Sequence, residues 1–182
     1  MAATRLPGKP LLRINNLSII SNVFKRAEEA NIGEVVVATE DEEIIKDVLK
    51  NGGKGILTSK NHKTGTDRIF EAYTKLNIKN VDYILNLQGD EPNIDKNDII
   101  KLNSSMINSN AEIGTLAAKI SNDKLLNDKN VVKVITESRL DKNNFPSALN
   151  FTRDNLSKSN KNIYHHIGIY FYKVSALEKF VS

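Results

Sequence analysis

The chain contains no cysteine at all, which excludes disulfides and thiolate metal sites and fits a cytoplasmic protein. Arginine is scarce as well: six residues, with lysine supplying most of a formal charge of +4. The lysines are scattered rather than gathered into basic stripes with interleaved aromatics, so no nucleic-acid partner is expected. No apolar run approaches the length of a membrane-spanning helix, and no membrane partner is expected either. Met1 to Pro10 lacks the apolar stretch of a secretory signal, and none is expected. The chain has no HExxH, no GxSxG and no Ser-His-Asp order, which removes support for zinc chemistry and nucleophilic hydrolysis.

What is present alternates between helix and strand. Leu17, Ile20, Val23, Phe24 and Ala27 recur at helical spacing and predict an amphipathic helix over about 18–31, ending near Asn31 and Gly33. The apolar run Glu34–Thr39 predicts a strand buried on both faces. Ile44 to Leu49 predicts a helix stopped by Gly52 and Gly53; Gly55–Leu57 reads as a short strand and Ile69 to Leu76 as a helix. Asp82–Leu87 reads as another buried strand, and Ile99 to Ile107 as a helix. This order argues for an α/β parallel sheet. After about Ala111 the rhythm changes. Ile113–Ile120, Val131–Thr136 and Ile163–Tyr172 read as strands with no good helix between them, and they predict a mixed or antiparallel extension. Asp154 to Asn162 reads as a surface loop, and Val174 to Val181 as a helix.

Four groups of residues could carry chemistry. Arg5, Gly8 and Lys9 place two cations and a permissive glycine in five positions stiffened by Pro7 and Pro10, a combination that suits a polyphosphate; a disordered basic start is the competing reading and the favoured one for this segment alone. It is not a Walker loop, since Pro10 follows Lys9. Gln88-Gly-Asp-Glu-Pro92 follows a strand, where open α/β sheets bind ligands, and Asp90 there could hold Mg²⁺; a plain turn is the competing reading. Thr64-Gly-Thr-Asp-Arg68 opens a helix, where hydroxyls and amides can take an anion or a base edge. The stronger reading of the residues is that Thr64 or Thr66 simply caps that helix, with Arg68 solvated. On the strand His165–Tyr170, alternation sets His166, Gly168 and Tyr170 on one face, which could line a pocket. Arg153 alone reads as a surface residue. Together these fit phosphoryl or nucleotidyl transfer to a polar small molecule.

Taken in order, Thr4–Pro10, Val37–Thr39, Thr64–Arg68, Gln88–Pro92, Asn150–Arg153 and His166–Tyr170 closely resemble the 3-deoxy-manno-octulosonate (Kdo) cytidylyltransferases, with similar spacings over nearly the whole chain. The first and fourth motifs recur in looser form across sugar nucleotidyltransferases, and the His-Ile-Gly-Ile-Tyr segment points to the Kdo enzymes. The resemblance implies a single nucleotidyltransferase domain over 1–182, with 111–172 forming a mixed-strand sugar-binding extension. The implied fold is Rossmann-like and glycosyltransferase-A-like, a mixed, mainly parallel sheet flanked by helices. It implies that Arg5, Gly8 and Lys9 bind the CTP triphosphate, that Thr64, Gly65 and Arg68 frame the nucleotide, and that Asp90 takes Mg²⁺, with Lys9 and Asp90 catalytic. Gln88, Arg153, His166 and Tyr170 would face the sugar acid. The implied reaction transfers CMP from CTP to the anomeric hydroxyl of Kdo, for lipopolysaccharide biosynthesis, in a homodimer. Two departures accompany it: the family's first strand with its Pro-Ala-Arg-like turn, and its later V-D-T-P-like segment with a second metal ligand, are not in this sequence. Residues 1–182 expressed alone are therefore expected to be poorly soluble and without turnover, and the reaction is expected once both segments are supplied. The rival readings are a cytidylyltransferase for a sialic or pseudaminic type of acid, and a non-catalytic nucleotide-binding chain.

Overall fold

A computed structural model describes residues 8–141, 143–156 and 162–181. The chain divides into two compact units, 1–113 with 170–182, and 114–169.

The first unit begins with a 3-10 turn, Lys9–Leu11, entered through Gly8 at φ 70°, a left-handed conformation that glycine adopts without cost. A small hairpin, β1 (Arg13–Ile14) and β2 (Leu17–Ser18), turns on Asn15 and Asn16, both at positive φ. It leads into α1 (Ile19–Ala30), capped by the Ser18 side chain and ended by Asn31 in the left-handed region at φ 50°. Helix α1 buries Ile19, Ile20, Val23, Phe24 and Ala27, the face its spacing predicts. Next come β3 (Val37–Thr39), α2 (Glu42–Lys50), β4 (Gly55–Leu57) and α3 (Gly65–Leu76). After them follow β5 (Tyr83–Asn86) and α4 (Lys96–Ser109). Helices α3 and α4 also end on left-handed asparagines, Asn77 and Asn110, filling a role commonly taken by glycine.

A buried polar knot joins α1 to α2. Asp47 accepts from the hydroxyls of Ser18 and Ser21, at 2.5 and 2.9 Å, and Asn51 donates to Ser21 Oγ at 3.3 Å. Ser18 and Ser21 are almost wholly buried, so the carboxylate supplies the partner that water cannot.

The second unit holds most of β6 (Ile113–Lys119), α5 (Asp123–Asn127), β7 (Lys133–Thr136), β8 (Ala148–Thr152) and the first part of β9 (Ile163–Lys173). Here β7 lies between two antiparallel neighbours, Val134 facing Phe151 on β8 and Tyr164 on β9. From Tyr170 onward β9 belongs to the first unit, pairs antiparallel with β5, and leads into α6 (Val174–Val181).

Three local expectations change. The strand expected over 34–39 is confined to 37–39 and is half-buried rather than buried on both faces. A short helix, α5, interrupts the later strands, capped by Asn122, which accepts from the Lys124 amide. Strand β5, expected in a parallel sheet, pairs antiparallel with β9, which returns alongside it; β3 and β4 pair parallel, and β7, β8 and β9 form the antiparallel extension expected after about Ala111. The expected 154–162 loop is described at 154–156 and 162; the rest lies outside the described residues.

Candidate active site

The candidate site lies past the carboxyl end of β5, where open α/β sheets bind ligands. Beyond Asn86 the chain turns through Gln88, whose carbonyl accepts from the Glu91 amide at 3.3 Å, and carries Asp90 to the surface. A Cβ on Gly89 would meet Ile20 Cδ1 of α1 at 2.9 Å, the end of a side chain that would have to shift. Asp90 Oδ2 pairs with Lys9 Nζ at 2.8 Å, so residues 81 positions apart form one site. Lys9 is 33 % and Asp90 51 % exposed, so both heads remain reachable from solvent. Arg5, the other cation expected here, lies outside the described residues.

The amino end of α3 lies against the same strand end. A Cβ on Gly65 would stand 3.9 Å from Asn86 Nδ2, and Asn86 faces Tyr170 directly across the β5–β9 pair. Cross-strand partners share a face of the sheet, which puts Tyr170 beside Asn86. Two residues on, Tyr172 stacks on Tyr170 at 6.0 Å between centroids and reaches Thr66 Oγ1 at 3.4 Å. Burial, and then the neighbouring Tyr172, push the Tyr170 phenol above its usual range, so it is a neutral hydrogen-bonding group at physiological pH.

Thr64 and Arg68 have other work. The Thr64 hydroxyl accepts from the Asp67 amide at 3.2 Å and donates to Asp67 Oδ2 at 2.7 Å, while Asp67 accepts from the Thr64 amide at 3.1 Å. This is a reciprocal capping box, and the Asp67 carboxylate already sits at the positive end of the helix. Arg68 is not solvated: it donates to Thr58 Oγ1 at 2.6 Å and the Ser59 carbonyl at 3.2 Å, and it pairs with Glu40. Its guanidinium thus ties α3 to the ends of β3 and β4. Beside it, Glu71 is held down to a pKa of about 2, first by Lys75, then by the Ser59 amide and His62.

The second unit places Arg153 and His166. His166 is 8 % exposed, with Nε2 at 2.9 Å from Thr115 Oγ1 and its ring edge-on to Phe151 at 5.0 Å. Burial, and then His165, lower its pKa, so the imidazole is neutral at pH 7. Arg153 is exposed, and its Nη1 donates to the carbonyls of Lys129 and Asn130 at 3.2 and 3.0 Å. Both Nη1 hydrogens are thereby used. Nε and Nη2, the side-on fork that matches a carboxylate, have no partner among the described residues.

Among the described residues no group of three or more acidic or histidine side chains could hold a metal, and no helix is long and apolar enough to cross a membrane. Asp90 presents one carboxylate, a hard oxygen donor, at a solvent-reachable strand end. That fits Mg²⁺, which takes one or two carboxylates and otherwise relies on water and substrate phosphates. Sequence reasoning missed Lys133, a wholly buried lysine on β7, although a lone cation in Val131–Thr136 was a visible signal.

A family profile described as Cytidylyltransferase matches residues 1–182. A 3-deoxy-manno-octulosonate cytidylyltransferase of Rhodopseudomonas palustris (strain BisB18) is 44 % identical over 183 residues, covering 100 % of this chain and 74 % of the relative. Another, from Bradyrhizobium sp. (strain ORS 278), is 43 % identical over 100 % of this chain and 73 % of its own length. A solved structure of CMP:2-keto-3-deoxy-manno-octonic acid synthetase complexed with CTP superposes with a TM-score of 0.84 at 35 % identity, covering 97 % of this chain and 72 % of that one. With a full-length profile match and relatives above 40 % identity, the chain belongs to the cytidylyltransferase family.

Proposed function

We propose that the protein transfers CMP from CTP to the anomeric hydroxyl of Kdo, giving CMP-Kdo and pyrophosphate. The observation that carries this reading is the Lys9–Asp90 pair at the carboxyl end of β5, in a chain whose relatives bear that enzyme name. Lys9 is the group that meets the triphosphate, with Arg5 and the Gly8 turn beside it in sequence. Asp90 would hold Mg²⁺, which when bound offsets charge on the α-phosphate and the leaving pyrophosphate. With metal and triphosphate bound, the one exposed pair would give way to two, Asp90 holding the cation and Lys9 the phosphates. That exchange costs little, since an exposed pair is worth about 0–1 kcal/mol.

Kdo brings a carboxylate and several hydroxyls. Within the second unit, Arg153 offers the planar two-point match to the carboxylate; that Gln88, His166 and Tyr170 also face the sugar is carried over from the resemblance alone. A homodimer in the cytoplasm belongs to the same proposal. The test is pyrophosphate release from CTP in a chain extended by the strand and the Asp-bearing segment named above. Release with Kdo and Mg²⁺ is expected. Turnover with sialic acid and none with Kdo would contradict the choice of sugar.

A further inference from the structure

A lysine with no exposed surface is a costly residue, because burying an ammonium is tolerated only where its donors are taken up. Lys133, on β7, is 0 % exposed. Its Nζ donates to the carbonyls of Asp128 and Arg153, at 2.9 and 3.1 Å. Both acceptors belong to the machinery that sets Arg153. Residues Asp128 to Val131 form a turn, closed by the Val131 amide on the Asp128 carbonyl at 3.1 Å. Asp128 also accepts from the Asn130 amide, at 2.8 Å. That turn presents the carbonyls of Lys129 and Asn130 to Arg153 Nη1. Lys133 therefore grips the turn through Asp128 and the backbone of Arg153 through its own carbonyl, while the turn grips the guanidinium. Three short links make a closed loop around one side chain.

We propose that Lys133 is a positioning residue: its buried ammonium fixes the 128–131 turn and the Arg153 backbone, so that the Nε and Nη2 fork of Arg153 is held in one orientation for the carboxylate of the sugar acid. This rests on the reading of Arg153 given above. An exposed arginine ordinarily loses much rotamer freedom on binding. Here two of its five donors are already committed, which removes part of that loss and sharpens selection for a planar anion.

The test is a double-mutant cycle read by calorimetry, titrating Kdo into the extended chain with CTP present and divalent metal removed by EDTA so that nothing turns over. Arg153→Ala and Lys133→Met should each weaken Kdo binding about tenfold, the scale of one charge-assisted hydrogen bond, and leave the Kd for CTP unchanged. In the Arg153→Ala background, Lys133→Met should add nothing further. If Lys133→Met does not melt cooperatively, Lys133→Gln, which keeps a donor for one carbonyl, takes its place in the same cycle. A Lys133 variant that leaves Kdo binding intact, that weakens CTP equally, or that adds its full effect on top of Arg153→Ala overturns the proposal. Arg153→Ala without effect on Kdo binding would remove the reading of Arg153 itself, and the proposal with it.

Discussion

Lys9 and Asp90 neutralise each other in the free protein, and the size of that interaction separates its two roles. At 33 % and 51 % exposure the pair is screened by water and contributes at most about 1 kcal/mol to stability. Asp90→Asn is therefore expected to melt within a few degrees of the parent, because the loss falls on the surface rather than in the core. Lys9→Ala should raise the KM for CTP more than that for Kdo, measured by pyrophosphate release in the extended chain. An equal rise in both would detach Lys9 from the triphosphate. Arg68 shows the opposite case: three acceptors in the protein already hold it, so it fixes α3 rather than reaching outward.

At the scale of elements, the α1–α2 knot is the feature most exposed to a single change. Asp47→Ala would leave the buried hydroxyls of Ser18 and Ser21 without their carboxylate, a loss of about 1–3 kcal/mol. Urea unfolding should show a lower midpoint with an unchanged slope; an unchanged midpoint would mean water replaces the carboxylate. The helices were legible because α1 and α3 carry apolar residues every three to four positions and end on asparagine. Strand β8 was not legible. Leu149 and Phe151 lie 65 % and 45 % exposed at the edge beyond β7, so no buried pattern marks them as a strand. Helix α5 is five residues long, too short for periodicity, and the β1–β2 hairpin pairs only two residues from each strand. Asp90 could be placed from its position after an apolar run. Its partnership with Lys9 could not, because ion pairs at a separation of 81 residues leave no local trace.

For the molecule as a whole, the buried His166 sets a pH dependence. Its pKa is lowered in the folded state, so between the folded and unfolded values the unfolded chain binds more protons and stability rises with pH. The contribution is full above the ordinary value of 6.5 and is lost as pH falls toward the lowered one. Glu71, depressed from 4.5 to about 2, gives a second loss in the same direction between those values. Melting temperature should thus fall as pH drops below about 6.5, and His166→Gln should flatten the first part of that fall. A variant with the parent's profile would show that His166 does not titrate with unfolding. In the proposed reaction the Lys9–Asp90 pair at the end of β5 is the metal–triphosphate site for CMP transfer to Kdo. That assignment is tested most directly by pyrophosphate release from CTP, measured side by side for the extended chain and its Asp90→Asn variant with Kdo and Mg²⁺. The parent is expected to release pyrophosphate only when both Kdo and metal are present, and the variant to release none while melting like the parent. Sustained release by Asp90→Asn would contradict the account.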